Sequence, residues 1–157
     1  MPLNNFKTSD KGKTLIRYYE TLATRSYVCS AGKKTIGYGH VILSNERFKE
    51  PISAEEANLL FSADLRFFEK AVNELGLNIN QDQFDALVSF NFNCGIKAFR
   101  TSTLMNKIVA GDLVAAAAEF PKWNKFTNPK TGKLESLVGL TRRRAAEAKL
   151  FSTGIYP

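Results

Sequence analysis

The sequence predicts an α+β fold that is mostly helical, with a small lobe built on a β-hairpin and a larger helical lobe joined to it by a long helix. Three observations carry this prediction. The length of 157 residues fits one domain, spanning the whole chain, that can bury its own core. Strand-like alternation is confined to residues 26–40, and the chain after residue 53 mostly follows helical spacing.

The first helix is predicted from about Asp10 to about Ala23. Glu20 lies near its C-terminal end. By their helical spacing, four side chains of this helix are expected to face the core: Leu15, Tyr18, Tyr19 and Leu22.

A small antiparallel hairpin is predicted next. Residues 27–29 are strand-forming, residues 30–34 form the turn, and residues 35–39 alternate as the second strand. Gly37 and Gly39 share a face with Thr35. That face either stays open beside a ligand or packs closely at a sheet edge, and the sequence does not separate the two.

The clearest helix start is at Ser53, which forms a capping box with Glu56, while Ile52 and Ala57 are placed as a hydrophobic staple. The apolar pattern then continues to Leu75, and Gly76 ends it. We therefore predict an interlobe helix over about residues 53–76.

The rest of the chain is predicted to be helical, beginning with an Asn80–Gln83 cap and a core segment with five apolar side chains: Phe84, Leu87, Val88, Phe90 and Phe92. Further helices are predicted over 102–110, 112–120 and 141–151, each with a cap residue at its start. Residues 124–136 are polar and are predicted as a surface loop. The small lobe thus covers about residues 14–58, and the helical lobe covers about 80–157 together with the N-terminal helix.

The charge and composition exclude some classes of protein. The chain has 22 Lys+Arg and 15 Asp+Glu, a net charge of +7, which attracts nucleic acid, anionic lipid or anionic cell wall without choosing among them. The sequence shows neither an apolar run of about 18 residues nor a signal-peptide pattern, so no membrane insertion is predicted. Cys29 and Cys94 are too few for a disulfide framework and are predicted as reduced thiols, although the sequence leaves one disulfide between them open.

The chain has a single histidine, His40, and this argues against several chemistries. A zinc site needs several nitrogen or sulfur ligands, so no metal and no cofactor are predicted. A Cys/His peptidase would need a cysteine beside His40, and no motif supports one. The basic cluster at residues 142–144 could contact phosphate, but we favour carboxylate partners within the fold and predict no nucleic-acid binding.

Glu20 is a candidate acid for cleaving a glycosidic bond. This chemistry needs a carboxylic acid to protonate the leaving oxygen and a second group that activates water or attacks the sugar. Cys29 and Thr35 on the hairpin are candidates for the second group, but nine extended residues span roughly 30 Å, so spacing alone does not show that they meet Glu20. Taken singly, Glu20 is typical of a solvated surface charge, and Cys29 and Cys94 are typical of buried structural thiols.

Residues 20–40 strongly resemble the phage-type lysozymes, glycoside hydrolase family 24. The family pattern is a Glu, an acidic or Cys residue nine positions later, a Thr six beyond that, and a Thr-Ile-Gly-Tyr-Gly-His-like strand. Glu20, Cys29 and residues 35–40 match it. The resemblance extends over nearly the whole chain, through these further segments: 53–57, Asp64, 86–95, 102–104, Trp123, 139–140, 143–144 and Glu147.

The resemblance implies a lysozyme-like two-lobe fold and a muramidase that cuts the β-1,4 bond between N-acetylmuramic acid and N-acetylglucosamine in peptidoglycan. It implies that Glu20 is the general acid and that Cys29 and Thr35 complete a catalytic triad. For structural support it implies a His40–Asp64 ion pair and a contact to Glu20 from Arg143 or Arg144. It also implies a sugar-binding groove with four lining residues: Val41, Phe92, Asn93 and Thr103.

Cys29 departs from the best-known members of the family, which carry Asp, although a Cys subgroup exists. A free thiol has a pKa of about 8.5, and we expect a neighbouring carboxylate to raise the pKa of Cys29 further. Cys29 would then be a weaker general base than Asp, or a nucleophile that gives retained stereochemistry. We favour activation of a water that Thr35 positions.

The resemblance further implies an endolysin whose partner is the peptidoglycan glycan strand. We expect a monomer, without signal peptide or membrane anchor, that stays in the host cytoplasm until a holin opens the membrane to the wall. Two alternatives remain open at this point. One is a lytic transglycosylase, which makes an anhydro sugar without adding water. The other is a non-catalytic module that binds cell wall or nucleic acid.

Overall fold

The computed structural model describes residues 3–157. Its elements in chain order are α1 (Asp10–Glu20), β1 (Ala23–Val28), β2 (Lys34–Gly37), β3 (His40–Val41), α2 (Ala54–Asn73), α3 (Gln81–Cys94), α4 (Ile96–Arg100), α5 (Thr103–Val109), α6 (Leu113–Glu119), a 3-10 turn (Phe120–Lys122), β4 (Lys125–Thr127), β5 (Leu134–Ser136) and α7 (Val138–Thr153). The predicted class, α+β and mostly helical, is confirmed.

The small sheet has three antiparallel strands in the order β1-β2-β3, rather than the two predicted. Tyr27 pairs with Thr35 across the first two strands, and Ile36 pairs with His40 across the second two. The predicted strand over residues 35–39 ends at Gly37 because Gly37 and Gly39 have positive φ values of 69° and 72°. The chain therefore turns back at this point and forms β3.

A small apolar cluster lies under this sheet. Ile36, Ile52 and Ala57 are fully buried in it, and a Cβ on Gly37 would lie 3.7 Å from the Cβ of Ala57. The glycine face is therefore closely packed at Gly37. Only Gly39, beyond the end of β2, faces the other way, towards Glu20.

The N-terminal helix α1 differs from its prediction in length and in its buried face. It ends at Glu20, where Thr21 takes a positive φ of 52°. Leu15 and Ile16 are buried, but Tyr18 is 72% exposed and Leu22 is 41% exposed, so the prediction that both face the core is wrong. Leu22 lies beyond the end of the helix, and Tyr18 lies at the edge of the stripe that buries Leu15 and Ile16.

The long helix α2 begins as predicted. Ser53 Oγ accepts a hydrogen bond from the Glu56 backbone N–H at 3.0 Å, which completes the capping box, and the staple residue Ile52 is buried. The helix ends at Asn73, two residues before the predicted Leu75, because Leu75 N–H bonds to the carbonyl of Val72 in a tighter turn. Its first turn packs in the small cluster and its later turns pack in the larger core.

The larger core surrounds α3, in which every residue from 83 to 91 is buried. The capping box of Asn80 and Gln83 forms as predicted. Four of the five predicted core residues of this segment are buried, and Phe92 is half-buried. Leu15 and Ile16 of α1 pack in the same core, so α1 belongs with the helical lobe in its packing.

Two C-terminal predictions are wrong. Residues 124–136 contain the antiparallel strands β4 and β5, with Phe126 opposite Glu135, instead of a plain loop. Strands of three residues are too short to show alternation in the sequence. The last helix begins at Val138, not at Thr141, whose hydroxyl donates to the carbonyl of Leu137 within the helix at 3.0 Å. Helices α5 and α6 have the predicted caps, Ser102 and Asp112.

None of the helices over residues 3–157 is long and apolar enough to cross a membrane.

Candidate active site

A cavity of about 650 Å³ lies between the small sheet and the helical core. Glu20, Cys29 and Thr35 all line it. They arrive from three elements: Glu20 is the last residue of α1, Cys29 follows β1, and Thr35 lies in β2. The structure therefore brings together three side chains that sequence spacing could not place relative to one another.

Glu20 is held by two neighbours. Arg143 Nη1 lies 2.5 Å from Glu20 Oε2, an ion pair with a charge-assisted hydrogen bond. On the other side, Glu20 Oε1 is so close to Gly39 that a Cβ at this position would overlap with it. The β2–β3 turn therefore needs glycine both for its positive φ and for the space that Glu20 occupies.

The Arg143 side chain is itself held by hydrogen bonds to residues of the helical lobe. Its side chain is buried, its Nη2 donates to the carbonyl of Ser89 at 3.0 Å, and its Nε donates to Glu147 Oε2 at 3.3 Å. Arg144 points elsewhere: it donates to Cys94 Sγ at 2.7 Å and to Glu147 Oε2 at 3.2 Å. Of the two arginines expected to hold Glu20, Arg143 does so and Arg144 does not. Two members of the basic cluster, Arg143 and Arg144, are thus paired with carboxylates within the fold, as we favoured, whereas Arg142 is exposed.

Cys29 lies in the turn between β1 and β2, where its backbone N–H donates to the carbonyl of Lys33 at 2.9 Å. Burial acts to raise the pKa of the Cys29 thiol, but backbone hydrogen bonds from Lys33 and Ala31, the Thr35 hydroxyl and the charge of Lys33 together outweigh it. The pKa is therefore lowered. The expected rise from a neighbouring carboxylate is wrong, because the polar groups closest to the thiol stabilise its anion.

Thr35 is buried, and its hydroxyl donates to the carbonyl of Lys33 at 2.9 Å. A hydroxyl has one proton and two acceptor lone pairs. Among the groups that lower the pKa of Cys29, the backbone amides of Lys33 and Ala31 contribute more than the Thr35 hydroxyl, and the charge of Lys33 contributes less. The Thr35 oxygen keeps acceptor capacity for a molecule in the cavity.

His40 lies between two carboxylates. Its Nδ1 is 2.9 Å from Asp64 Oδ2, and its Nε2 is 2.9 Å from Glu46 Oε1. The hydrogen bond to Asp64, with further contributions from Glu46, raises the pKa of His40 to about 9 against the desolvation that acts to lower it. Sequence reasoning named Asp64 and missed Glu46, because only the fold of the β3–α2 connection brings this residue back to the imidazole.

Three of the four expected groove residues, Val41, Phe92 and Asn93, line the cavity. Thr103 is exposed at the start of α5, outside the lining that residues 3–157 form around this cavity. Sequence reasoning missed several lining side chains that strand β1, the turn after it, strand β4 and the residues before β4 supply: Tyr27, Lys33, Trp123, Lys125 and Phe126. The prediction of a plain loop over 124–136 concealed the last two.

The sequence profile of the phage lysozyme family matches residues 17–147. This match spans more than half of the chain and includes Glu20, Cys29 and Thr35.

The chain belongs to the phage lysozyme family.

Similar proteins agree with this assignment. The endolysin of Acyrthosiphon pisum secondary endosymbiont phage 1 is 40% identical over 146 residues, which cover 92% of this chain and 97% of the relative. The endolysin from Escherichia coli O157:H7 phage FAHEc1 has a TM-score of 0.88 and 36% identity, with 99% of each chain covered. The muramidase domain of SpmX from Asticaccaulis excentricus has a TM-score of 0.82 and 37% identity, with 95% and 99% covered. The chain spans about half the length of two Bacillus phage endolysins.

Membership in the phage lysozyme family implies an enzyme that hydrolyses peptidoglycan. Three groups in the cavity are of the kinds that glycoside hydrolysis uses. Glu20 offers a carboxyl held by Arg143, and Cys29 and Thr35 offer a thiol of lowered pKa beside a hydroxyl oxygen. Aromatic side chains, among them Tyr27 and Trp123, also line the cavity.

Proposed function

We propose that this chain is an endolysin muramidase of the Glu/Cys/Thr subgroup. It hydrolyses the β-1,4 bond between N-acetylmuramic acid and N-acetylglucosamine in peptidoglycan. The convergence of Glu20, Cys29 and Thr35 on one cavity between the lobes carries this proposal. The similarity to a muramidase domain over almost the whole chain supports the choice of bond.

In the proposed reaction Glu20 is the general acid. Its protonated carboxyl gives a proton to the glycosidic oxygen as the bond to the anomeric carbon breaks. The carboxylate that remains is stabilised by Arg143, which holds it at 2.5 Å. Because Arg143 is anchored to Ser89 and Glu147, the carboxyl group keeps one orientation through the reaction.

Cys29 and Thr35 act on the water. The lowered pKa of Cys29 increases the fraction of thiolate at neutral pH, and the thiolate accepts a proton from a water that the Thr35 oxygen positions. The water then attacks the anomeric carbon on the face opposite the leaving group, which inverts the stereochemistry. Direct attack by the Cys29 thiolate is the competing route and would retain it. An α-anomer as the first product excludes that route.

The biological role proposed with this chemistry is host-cell lysis. The enzyme acts as a monomer on the glycan strands of the wall, stays in the host cytoplasm until lysis, and reaches its substrate after a holin opens the membrane. His40, Asp64 and Glu46 hold the small lobe in shape and take no part in the chemistry.

The test is release of new reducing ends from purified Gram-negative peptidoglycan by wild type and Glu20→Gln. Removing a general acid costs about 10²–10⁴-fold in rate, so we expect Glu20→Gln to lose at least about 100-fold while its melting temperature stays close to wild type. Glu55→Gln, an exposed glutamate on α2, is the matched control and should keep full activity.

Two other outcomes would contradict the proposal. Products that lack one water relative to the reducing ends would identify a lytic transglycosylase. A Glu20→Gln protein that binds peptidoglycan and performs as the wild type does would identify a non-catalytic wall-binding module.

A further inference from the structure

A second cavity, of about 710 Å³, lies on the outer side of α1. Its volume is similar to that of the first cavity, which Glu20, Cys29 and Thr35 line, and falls in the range of small-molecule sites. Three tyrosines line it, Tyr18 and Tyr19 from α1 and Tyr156 from the segment after α7, together with the polar side chains of Asp10 and Thr14. Nothing in the proposed mechanism uses this surface.

The two cavities are neighbours, because Tyr19 lines both of them. Glu20 follows Tyr19 in the chain, so the second cavity begins one residue from the proposed general acid. Tyr18 packs edge-on against Tyr19, with ring centroids 5.0 Å apart and planes at 86°. The exposed ring of Tyr18 therefore lies beside the residue that the two cavities share.

One ring of this aromatic surface, that of Tyr156, is held by hydrogen bonds. The Tyr156 hydroxyl is 2.6 Å from Asp85 Oδ2 and 3.0 Å from Asp82 Oδ1, which anchors the ring to α3. Lys11 Nζ lies 5.6 Å from the centre of the Tyr156 ring. A ring that is already positioned, as that of Tyr156 is, loses little conformational freedom when a ligand binds.

The chemistry of the lining favours a neutral ligand with one apolar face and a polar rim. Among the described residues, its charged side chains are Asp10 and Lys11, one of each sign. A polyanion would require an excess of Lys or Arg, which this lining does not supply. A pyranose ring meets the requirement, since its C–H face packs on aromatic rings and its hydroxyl and acetamido groups bond to polar side chains.

We propose that this second cavity binds sugar units of the same glycan strand that is cut in the first cavity, and thereby selects long strands over short fragments. This inference rests on the proposed muramidase function. Tyr18 is the stacking platform, and Asp10 and Thr14 are the polar contacts. The ligand is the carbohydrate backbone and not the charged stem peptide.

The experiment measures steady-state cleavage of soluble, peptide-bearing glycan strands sorted by length. For Tyr18→Ala we expect the KM on long strands to rise about three- to tenfold, the range that a single aromatic contact supplies, with kcat unchanged. On the shortest fragments that the enzyme cuts, the KM should equal that of wild type. An equal rise on long and short substrates, or no rise on either, would overturn the proposal.

Two variants serve as controls. Tyr18→Phe keeps the ring and should retain the wild-type KM on long strands. Phe67→Ala removes a comparable ring, because Phe67 is 61% exposed and packs edge-on against Phe68 at 5.1 Å, but it lies on α2 away from both cavities. A rise in KM for Phe67→Ala that matches Tyr18→Ala would refute a specific site at Tyr18.

A binding measurement separates this proposal from the proposed function. In Glu20→Gln, amide shifts of Thr14 and Tyr18 should change on addition of long glycan strands freed of stem peptides. If wild type releases no reducing ends, the muramidase proposal fails, while these shifts still test the second cavity. If wild type is active and neither the shifts nor the KM respond, the second cavity alone is refuted.

Discussion

His40 shows how neighbours set the charge of one side chain. It lies between Asp64 and Glu46, and the hydrogen bond to Asp64 raises its pKa from 6.5 to about 9. A histidine whose pKa is raised by folding contributes stability that is fully present below its ordinary pKa of 6.5. That contribution is lost as the pH rises through about 9.

We therefore predict that His40→Asn is destabilised by about 1.5–3 kcal/mol at neutral pH, the typical value of hydrogen bonds to a charged group. The difference in free energy of unfolding between wild type and variant should shrink as the pH rises past about 9. Denaturant unfolding across this pH range measures it. A difference that stays constant with pH would contradict a protonated His40, and NMR titration of this single histidine gives its pKa directly.

Neighbouring groups and burial also shift the pKa values of the two cysteine thiols, in opposite directions. Both line the cavity that contains Glu20, and both are free thiols within the described residues. Burial raises the pKa of Cys94 despite the nearby Arg144, whereas backbone hydrogen bonds lower the pKa of Cys29. The thiol that the proposed mechanism uses is thus the one with more anionic character.

At the scale of secondary structure, the β2–β3 turn sets the position of Glu20. Gly39 has a φ of 72°, and the space where a Cβ would lie is filled by Glu20 Oε1. A side chain here must push the carboxyl away from Arg143 or move the turn itself. Of the two alternating glycines, Gly39 therefore serves the fit between the sheet and α1, whereas Gly37 packs against Ala57 of α2.

We predict that Gly39→Ala lowers kcat about 10–100-fold, because displacing a catalytic group by about 1 Å has an effect of that size. It should also destabilise the protein by more than the about 1–2 kcal/mol that a positive φ alone costs a non-glycine residue. Release of reducing ends and thermal unfolding measure the two effects.

Gly111→Ala is the matched control for this prediction. Gly111 has a φ of 78°, and among the described residues no atom beyond its chain neighbours lies within 4 Å of the position that a Cβ would take there. The control should lose about 1–2 kcal/mol and keep its kcat. Equal activity in the two variants would show that the overlap with Glu20 does not matter.

At the scale of the whole molecule, a buried ionic network joins three helices at the base of the cavity. Glu147 on α7 accepts from Arg143 at 3.3 Å, from Arg144 at 3.2 Å and from Ser89 on α3, while Arg143 reaches Glu20 on α1. Arg144 and Glu147 are completely buried. The network therefore couples the position of the proposed acid to the packing of the helical lobe.

We predict that Glu147→Ala lowers the free energy of unfolding by about 3–5 kcal/mol, because it leaves two buried arginines without their shared carboxylate. Lys149→Ala, an exposed substitution on the same helix, should stay within about 0.5 kcal/mol of wild type. Denaturant unfolding of the two variants gives the comparison. Similar losses in both would mean that the network contributes little.

Most of the helical fold was predictable because its signals are local. The capping box at Ser53, the cap at Asn80 and the apolar run after it each lie within a few residues of the structure they specify. Predictions failed where local signals were weak. The three-residue strands β4 and β5 have too few alternating residues, and Tyr18 lies at the edge of its helical stripe, where spacing does not decide burial.

The sequence by itself determined the helix starts, the resemblance to the phage lysozymes and the candidates Glu20, Cys29 and Thr35. Only the tertiary structure decided that these three share a cavity, that Arg143 rather than Arg144 holds Glu20, and that the pKa of Cys29 is lowered. The reason is one of distance. Caps and helical periods depend on residues close in the chain, whereas ion pairs, desolvation and cavities depend on residues as far apart as Glu20 and Arg143, which are 123 positions apart.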